Sequence, residues 1–405
     1  MSATTGTVDA PAARPPAPHR GSWALTWPGV RTVALLELRQ RVRSTRWIIA
    51  LVVWFVVVGG ITALATGSVS LVSGSSDGTV GSGAAATSPL VPTGPVVPPA
   101  PTGPVIFGIV VFFVLFLGLL VAPTLSATSI NGDRNAGTLA TLQVTLLSAA
   151  EIVIGKLVAS WLAALAFLGA SLPFIVWALA AGGVRVMALV VTVLVLALIL
   201  AVVCAIGLGF SALAARTSGS AVLTYLTVAG LSAVTLILFG LTVPLVSTHA
   251  EVTVYGTQNW SSDQPPACSW FTESRTVVDT ERTWWLLALN PFVIVADAAP
   301  ATTSEPSTTY SAGTTSSSGS ASIDPLSAIR TGVRYARTGP ATVVDECWAT
   351  GAGYVSPVPK RPLDAAPVWP WGVGAYLVIG AGSVALAVRR LRVPQKVLPR
   401  GTRVA

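Results

Sequence analysis

A continuous apolar run extends from Met187 to Ala214 and reads MALVVTVLVLALILAVVCAIGLGFSALA. It contains no Lys, Arg, Asp or Glu. A helix that crosses the hydrocarbon core of a bilayer, about 30 Å thick, needs about 20 mostly apolar residues. A charged side chain at the centre of such a helix costs about 2.5–3.5 kcal/mol on insertion scales. The stretch therefore predicts a transmembrane helix.

Five other stretches have the same character and also lack charged side chains: about 47–65, 105–127, 157–181, 221–246 and 368–388. Only 10% of the 405 residues are charged and 52% are apolar, whereas a soluble domain carries about 25% charged residues. This composition excludes a soluble fold. The sequence predicts an all-α integral membrane protein with six transmembrane helices.

The charges between these spans predict the orientation of the chain. The N-terminal arm, the loop after the second span, the turn after the fourth and the C-terminal tail together hold 16 basic and four acidic residues. The connections on the other side hold eight basic and 12 acidic residues. Because short basic segments stay in the cytoplasm, we expect both termini to be cytoplasmic. The net charge of +8 is then a topology signal, and no nucleic-acid partner is expected.

The segments before the first span differ in character. Residues 1–28 predict a disordered cytoplasmic arm, because they are rich in Pro and lack apolar periodicity. Residues 29–46 predict an amphipathic helix that lies on anionic membrane lipid; a basic flank that only fixes topology is the alternative. The apolar positions of this helix are Val30, Val33, Leu38 and Val42, and the basic ones are Arg31, Arg39, Arg41, Arg43 and Arg46.

The sequence also predicts the parts outside the membrane. Residues 67–104 predict a flexible loop, and residues 389–405 a basic cytoplasmic tail. Residues 247–367, between the fifth and sixth spans, form a long extracytoplasmic insertion, the only place for a water-soluble domain. A Ser/Thr-rich linker at 302–322 divides this insertion. The run Trp284–Ala296 is too short to cross and predicts an interfacial or re-entrant element, broken at Asn290-Pro291.

The three cysteines fall into two groups. Cys268 and Cys347 lie on opposite sides of the linker, where an oxidising exterior favours a disulfide. Closing a loop of that length stabilises by about 4–5 kcal/mol in the chain-entropy model; two free buried thiols are the alternative. Cys204 lies inside the fourth span and is expected to be a small core residue.

Sequence motifs for catalysis or cofactor binding lack the structural context that they need. The G-x-S-x-G match at 74–78 lies in a Gly/Ser-rich loop, and the dinucleotide-like match at 207–212 lies inside a span, where small residues favour close helix packing. Gly155-Lys156 has Leu157 where a phosphate loop needs Ser or Thr. The two histidines are isolated in sequence. We therefore expect no catalytic residue, no metal and no cofactor.

The segment from Asn131 to Lys156 is the most informative one. It combines charges with an apolar helical pattern, follows the second span and runs directly into the third. It resembles the segment of ABC-2 type transporter permeases in which charged residues precede Gly-Thr-Leu, a Leu-rich helix, Leu-Ser, Glu-Ile and Gly-Lys. Two departures are the Asn-Gly-Asp-Arg-Asn-Ala run and Leu146 in place of Pro. The matching residues are Asp133, Arg134, Gly137, Thr138, Leu139, Leu147, Ser148, Glu151, Ile152, Gly155 and Lys156.

This resemblance implies a mechanical role. The chain would be the permease subunit of an ATP-driven exporter, paired as a homodimer or with a second permease, and would bind no nucleotide itself. The segment 131–156 would dock on a separate ABC ATPase subunit. Its charges would make charge-assisted contacts while Leu139, Leu142 and Leu146 fill a groove. The alternative is that these charges only decorate a loop that sets topology.

Two further functional classes compete with the permease. A membrane-anchored assembly or sensory protein would act through the extracytoplasmic insertion, and an intramembrane enzyme would need a nucleophile and a base within the spans, which the sequence does not offer. Arg outnumbers Lys 21 to three, a composition typical of a high-GC bacterium, so we expect a multi-pass protein of a bacterial plasma membrane. The charge-free spans suggest an amphipathic or lipid-like cargo.

Overall fold

The computed structural model describes residues 23–75, 102–137, 147–257, 268–299, 324–347, 357–358 and 367–391. Within these ranges, six helices are long and apolar enough to cross a membrane, which confirms the predicted six-span architecture. In chain order the α-helices are α1 Trp27–Val42, α2 Thr45–Ser75, α3 Gly103–Ser126, α4 Ser129–Asn135, α5 Ala149–Ala180, α6 Val186–Leu213, α7 Thr217–Ala229, α8 Thr235–Thr242, α9 Trp284–Ala288, α10 Pro291–Ala298, α11 Pro325–Thr338 and α12 Trp369–Leu391. Helices α2, α3, α5, α6, α7 with α8, and α12 form the six spans.

Helix α6, which contains the apolar run 187–213, lies inside the bundle and packs against α3, α5 and α12. Cys204 is fully buried there, as expected for a core residue. The small residues of α6 permit the close packing: a Cβ at Gly209 would lie 3.1 Å from the Cβ of Ser383 in α12, and one at Gly207 would overlap Ser126 in α3. In lipid, helices associate through such close backbone approach.

The first span is longer than its apolar run. Helix α2 continues to Ser75, ten residues past the predicted end at residue 65, so the residues just after 66 do not form the predicted loop. Its hydroxyl side chains turn back onto the helix: Thr66 donates to the carbonyl oxygen of Thr62 at 2.8 Å, and Ser70 to that of Gly67 at 2.8 Å. Hydroxyls satisfied in this way do not interrupt a helix.

The fifth span is interrupted where a later segment meets it. Between α7 and α8 lies a π-helical turn, Gly230–Val234. The side-chain amide of Asn290 donates to the carbonyl oxygen of Ser232 at 2.6 Å and to the hydroxyl of Thr235 at 3.1 Å. Asn290 also caps α10, because its Oδ1 accepts from the amide of Phe292 at 2.9 Å. The short helices α9 and α10 therefore meet at Asn290-Pro291, where the sequence predicts a break.

The insertion between the fifth and sixth spans contains a three-stranded sheet that the sequence analysis did not predict. Its strands are β1 Ser247–Gly256, β2 Ser269–Val278 and β3 Val343–Glu346, in the order β2-β1-β3. β1 is antiparallel to β2 and parallel to β3. The structure joins Cys268, beside β2, to Cys347, beside β3, with Cα atoms 5.7 Å apart, a distance typical of disulfides.

A buried ion pair ties this insertion to the last span. Asp297, at the end of α10, accepts a hydrogen bond of 2.6 Å from the Nε of Arg334 in α11. Its other oxygen accepts from the amides of Val368 and Trp369 at 2.6 and 2.8 Å, where α12 begins. Asp297 is 2% exposed and Arg334 5%, and a buried carboxylate persists only when it is paired and hydrogen-bonded in this way.

Different elements meet at the two ends of the bundle. Leu391, the last residue of α12, packs with Ile130 of α4 and Val153 of α5. We call this end of the bundle the basic end, because Arg389 and Arg390 of α12 and the Arg-rich helix α1 lie there. The sheet and α11 connect with the opposite end of α12. Most of the predicted arm at 1–28 and of the predicted tail at 389–405 lies outside the described residues. The whole of the linker at 302–322 lies outside them as well.

Candidate functional site

Helix α4, which opens the segment 131–156, is held firmly on its inner side. The hydroxyl of Ser211 in α6 accepts from the amides of Ile130 and Asn131, at 3.1 Å each. These amides lie in the first turn of α4, where the helix itself supplies no acceptor. Asn131 is fully buried and donates to the hydroxyl of Ser220, which donates to the carbonyl oxygen of Ala127 at 2.6 Å.

The far end of α4 is exposed. Arg134 and the next residues up to Gly137 lie at the surface. Gly137 has a φ of +71°, a left-handed conformation that glycine adopts without a steric penalty, so the chain turns away from the helix there. The predicted contact residues Thr138 and Leu139, like Leu142 and Leu146, lie outside the described residues.

The second half of the segment begins with a capping box. The hydroxyl of Ser148 accepts from the amide of Glu151 at 3.1 Å, and the carboxylate of Glu151 accepts from the amide of Ser148 at 2.8 Å. Two amides that the first turn of α5 leaves without partners are thereby satisfied. Ser148 is buried, and Leu147 is partly exposed beside it. The Leu-Ser-x-x-Glu part of the sequence motif thus has a local structural role.

Glu151 also binds the start of α1. One of its oxygens accepts from the amide of Thr26 at 2.9 Å and from the hydroxyl of the same residue. The Ser148 hydroxyl donates to the carbonyl oxygen of Ala24. Glu151 is fully buried, and the contact of its charge with an ATPase stays a prediction. The carboxylate is used inside the chain, where it fixes the N-terminal end of α1.

Lys156 is buried in the same way. Its side chain is 1% exposed, and its ammonium lies 2.6 Å from Asp133 in α4 and in direct contact with Glu37 in α1. It also donates to the carbonyl oxygen of Ser129 at 3.3 Å. One buried ammonium therefore joins α1, α4 and α5, and a contact of Lys156 with an ATPase stays a prediction. Asp133 shares this internal role, although a quarter of its side chain is exposed.

Two glycines allow α1 to lie directly on α5. A Cβ at Gly155 would lie 2.6 Å from the Cβ of Val33, and a Cβ at Gly29 would lie 2.8 Å from the carboxyl carbon of Glu151. Such distances are shorter than van der Waals contact. Gly155 in the sequence motif therefore permits a close helix approach, and Val33 is 3% exposed as a result.

Helix α1 differs from the simple amphipathic helix predicted for residues 29–46. Val30 and Val33, 3% exposed each, pack on α5. Leu35 and Leu36 point elsewhere and are 40% and 52% exposed. The helix thus has one apolar face against the protein and a second one free on the surface of the described chain, which suits a helix placed between a bundle and lipid.

These contacts define a single site, which we call the α1–α4–α5 junction. Sequence analysis identified its α4 and α5 members but missed the α1 partners. A signal for one of them exists, because Glu37 is the only acidic residue in the basic run 29–46. The junction consists of Thr26, Gly29, Glu37, Asp133, Ser148, Glu151, Gly155 and Lys156.

A comparison with known protein families identifies the chain. A model of the ABC-2 family transporter protein matches residues 31–293. The chain belongs to the ABC-2 transporter family. The match begins inside α1 and ends inside α10, so it contains α4, α5 and the first five spans. No curated protein matches the chain significantly.

Membership of the ABC-2 family confirms the resemblance that the sequence segment indicates. The chain is a multi-pass membrane protein and the membrane component of an ABC transporter. Six of the eight junction residues lie within the matched region, among them Glu37, Glu151 and Lys156. The other two, Thr26 and Gly29, precede it. The family match therefore covers the predicted coupling segment and all of α1 except its first four residues.

Proposed function

We propose that this chain is the permease subunit of an ABC exporter in a bacterial plasma membrane, driven by a separate ATPase subunit and paired with a second permease. The observation that supports this most is the α1–α4–α5 junction, in which one buried ammonium joins three elements at the basic end of the bundle. The excess of Arg and Lys on that side supports a cytoplasmic location for the basic end.

The docking surface for the ATPase is the exposed end of α4 with the two residues that follow it, up to Gly137. Arg134 and Gly137 lie at the surface there, and an exposed guanidinium can pair with a carboxylate of a partner. Glu151, Gly155 and Lys156 are positioning residues in this proposal. They hold α1 and α5 against α4, so that a displacement of the docking surface moves all three elements together.

The sequence analysis left open a membrane-anchored assembly or sensory protein that acts through the insertion. Family membership favours the permease, because the match includes five spans and the segment 131–156. A homodimer would contain two copies of this chain, and a pair with a different permease would contain one. The purification described below also measures this number.

The first experiment isolates the tagged full-length chain from its native membrane in a mild detergent and measures the ATPase that accompanies it. We expect an ABC ATPase in the preparation, with ATP hydrolysis. Arg134→Ala should lower the amount of recovered ATPase several-fold, because a charge-assisted contact contributes about 1.5–3 kcal/mol. Arg185→Ala removes an exposed Arg at the opposite end of the bundle and should leave the recovery unchanged.

The outcomes separate three parts of the proposal. A preparation of the unaltered chain that contains no ATPase refutes the permease subunit itself. Normal recovery with Arg134→Ala refutes only the docking surface. Lys156→Met tests the positioning role: the ATPase should still bind, because the side chain is buried, but the hydrolysis rate per bound ATPase should change.

A further inference from the structure

A cavity of about 720 Å³ lies at the basic end between α1, α2 and α3. Its volume is within the range of small-molecule sites, about 300–1,000 Å³. One part of its wall is apolar and includes Trp47, Trp54 and Val121, and the other part carries Arg41, Arg46 and Ser129. The proposed coupling function uses none of these six residues. A cavity that is polar at one end and apolar along its length has the shape of an amphipathic ligand.

Two residues at the polar end, Arg41 and Ser129, each carry a buried polar atom without a hydrogen-bond partner among the described residues. The Nη2 of Arg41 donates to the carbonyl oxygen of Leu125 at 2.8 Å. Its Nη1 is buried, and so is the hydroxyl oxygen of Ser129; among the described residues neither atom has a hydrogen-bond partner. Buried donors without acceptors are rare in native proteins, and a ligand acceptor would satisfy these two.

The charges around the cavity favour an anionic ligand. Its charged lining consists of Glu37, Asp133, Arg41 and Arg46. Both carboxylates are engaged by the buried ammonium of Lys156. The Nη2 of Arg41 approaches Glu37 no closer than 4.0 Å, and Arg46 is exposed at the rim. With Lys156 counted, three cations face two anions, so the site has a surplus positive charge.

The apolar part of the cavity reaches the lipid-facing surface. Val53 and Val57 on α2 are 55% and 41% exposed, and Leu120 on α3 is 45% exposed; all three line the cavity. From Thr45 to Val57, α2 rises by about 18 Å, which is close to the hydrocarbon depth of one leaflet, about 15 Å. Acyl chains can therefore leave the cavity sideways while a head group stays at its polar end.

We propose that this cavity binds an anionic glycerophospholipid of the leaflet at the basic end. The phosphate accepts from the Nη1 of Arg41 and from the hydroxyl of Ser129, with Arg46 at the rim. A guanidinium presents its donors in a planar fork that fits two phosphate oxygens. The acyl chains lie along Trp47, Trp54 and Val121.

The test uses the purified full-length chain, delipidated in detergent and titrated with phosphatidylglycerol. The readouts are the melting temperature and bound lipid by native mass spectrometry. We expect phosphatidylglycerol to raise the melting temperature and phosphatidylcholine to raise it much less. Arg41→Gln should weaken phosphatidylglycerol binding by about tenfold or more. Arg39→Gln makes the same charge change on the exposed side of α1 and should alter binding less than twofold.

A second pair of variants leaves all charges in place and covers the case in which Arg41→Gln does not fold. Val53→Trp fills the opening of the cavity and should abolish the response to phosphatidylglycerol. Val56→Trp adds the same bulk to a neighbouring residue of α2 that is 64% exposed and does not line the cavity. It should leave the response unchanged.

Four results would overturn the proposal. Equal losses of phosphatidylglycerol binding with Arg39→Gln and Arg41→Gln would show that the lipid is held only by general electrostatic attraction to the basic helix. Equal effects of the two lipids would remove the anionic preference, and full protection by inorganic phosphate would remove the lipid. No response to any lipid would mean that water, residues before Trp23 or a second copy of the chain fills the cavity. None of these measurements involves the ATPase, so they do not depend on the proposed coupling.

Discussion

The buried ammonium of Lys156 allows the most direct test of the α1–α4–α5 junction. Its side chain is 1% exposed and contacts the carboxylates of Asp133 and Glu37, whose side chains are 26% and 20% exposed. Lys156→Met keeps an unbranched side chain and removes the charge. The two carboxylates then remain at the junction without the cation that joins them.

The size of the effect follows from the geometry. Unit charges 2.6 Å apart attract each other by about 6 kcal/mol at an effective dielectric constant of 20. The cost of burying the ammonium offsets part of this attraction, and breaking a buried pair costs about 3–5 kcal/mol in measured cases. Because both carboxylates keep some contact with water, we expect a smaller loss, about 2–3 kcal/mol. At roughly 2 °C per kcal/mol, the melting temperature falls by about 4–6 °C.

The single free thiol provides the assay. Cys204 is buried in α6, and the structure pairs the other two cysteines. A thiol-reactive fluorophore therefore reports the exposure of Cys204 when the bundle unfolds in detergent. Arg134→Met is the matched control, because it removes a positive charge from an exposed side chain of α4. It should shift the melting temperature by less than about 1 °C.

A triple variant separates charge from packing. Glu37→Gln, Asp133→Asn and Lys156→Met together remove the carboxylates along with the ammonium, and should restore at least half of the stability that Lys156→Met loses. Such non-additivity is expected of side chains that interact directly. A melting temperature no higher than that of Lys156→Met would show that the unpaired carboxylates are not the cause of the loss. An unchanged melting temperature in Lys156→Met would refute the buried cluster.

Three other predictions use the same preparation. Gly155→Ala places a Cβ 2.6 Å from a valine Cβ of α1 and should lower the free energy of unfolding, measured by melting, by about 1–3 kcal/mol. The control Gly169→Ala, on the same helix, meets no atom within 4 Å and should be neutral or stabilising by up to about 1 kcal/mol. Equal effects of the two variants would contradict the close approach of α1 to α5. Without reductant, a denatured chain should take up one maleimide, and with reductant three, if Cys268 and Cys347 are paired; three in both cases would exclude the disulfide. Asp324 caps the start of α11, because its Oδ1 accepts from the amide of Leu326 at 3.1 Å. Burial raises the pKa of Asp324 above its ordinary value, so the folded state holds the proton more tightly than the unfolded chain. The contribution of Asp324 to stability should therefore rise as the pH falls from 7 towards 4 and be absent in Asp324→Asn, which keeps a capping side chain; parallel melting profiles of the two proteins would refute it.

The six spans could be predicted because crossing a membrane is a local property of the chain. A run such as 187–214 must satisfy all its backbone hydrogen bonds within one helix and must exclude charge, and both conditions are written in consecutive residues. The end of α2 shows the limit of this reasoning. Its last ten residues are rich in Gly and Ser, and only the structure shows that hydroxyls such as that of Ser70 bond back to the helix.

The junction could be predicted only in part, because its partners are far apart in sequence. Thr26 and Glu151 are separated by 125 residues, and Glu37 and Lys156 by 119. The motif identified Glu151 and Lys156 as important but did not show that they face inward. Charged residues next to a span are usually exposed, which is why the sequence favoured contact with another protein.

The use of charge at this junction also bears on what the junction does. Desolvation makes a buried ion cluster no more stabilising than well-packed apolar residues of similar size, so holding α1 on α5 does not by itself require Lys156. Apolar contacts, however, tolerate sliding, whereas an ammonium between Asp133 and Glu37 is satisfied in one arrangement and costly in the intermediate ones. We therefore infer that the cluster gives α1 and α4 one discrete position relative to α5. An element with discrete positions is what a permease needs if motion of an ATPase is to reach its spans.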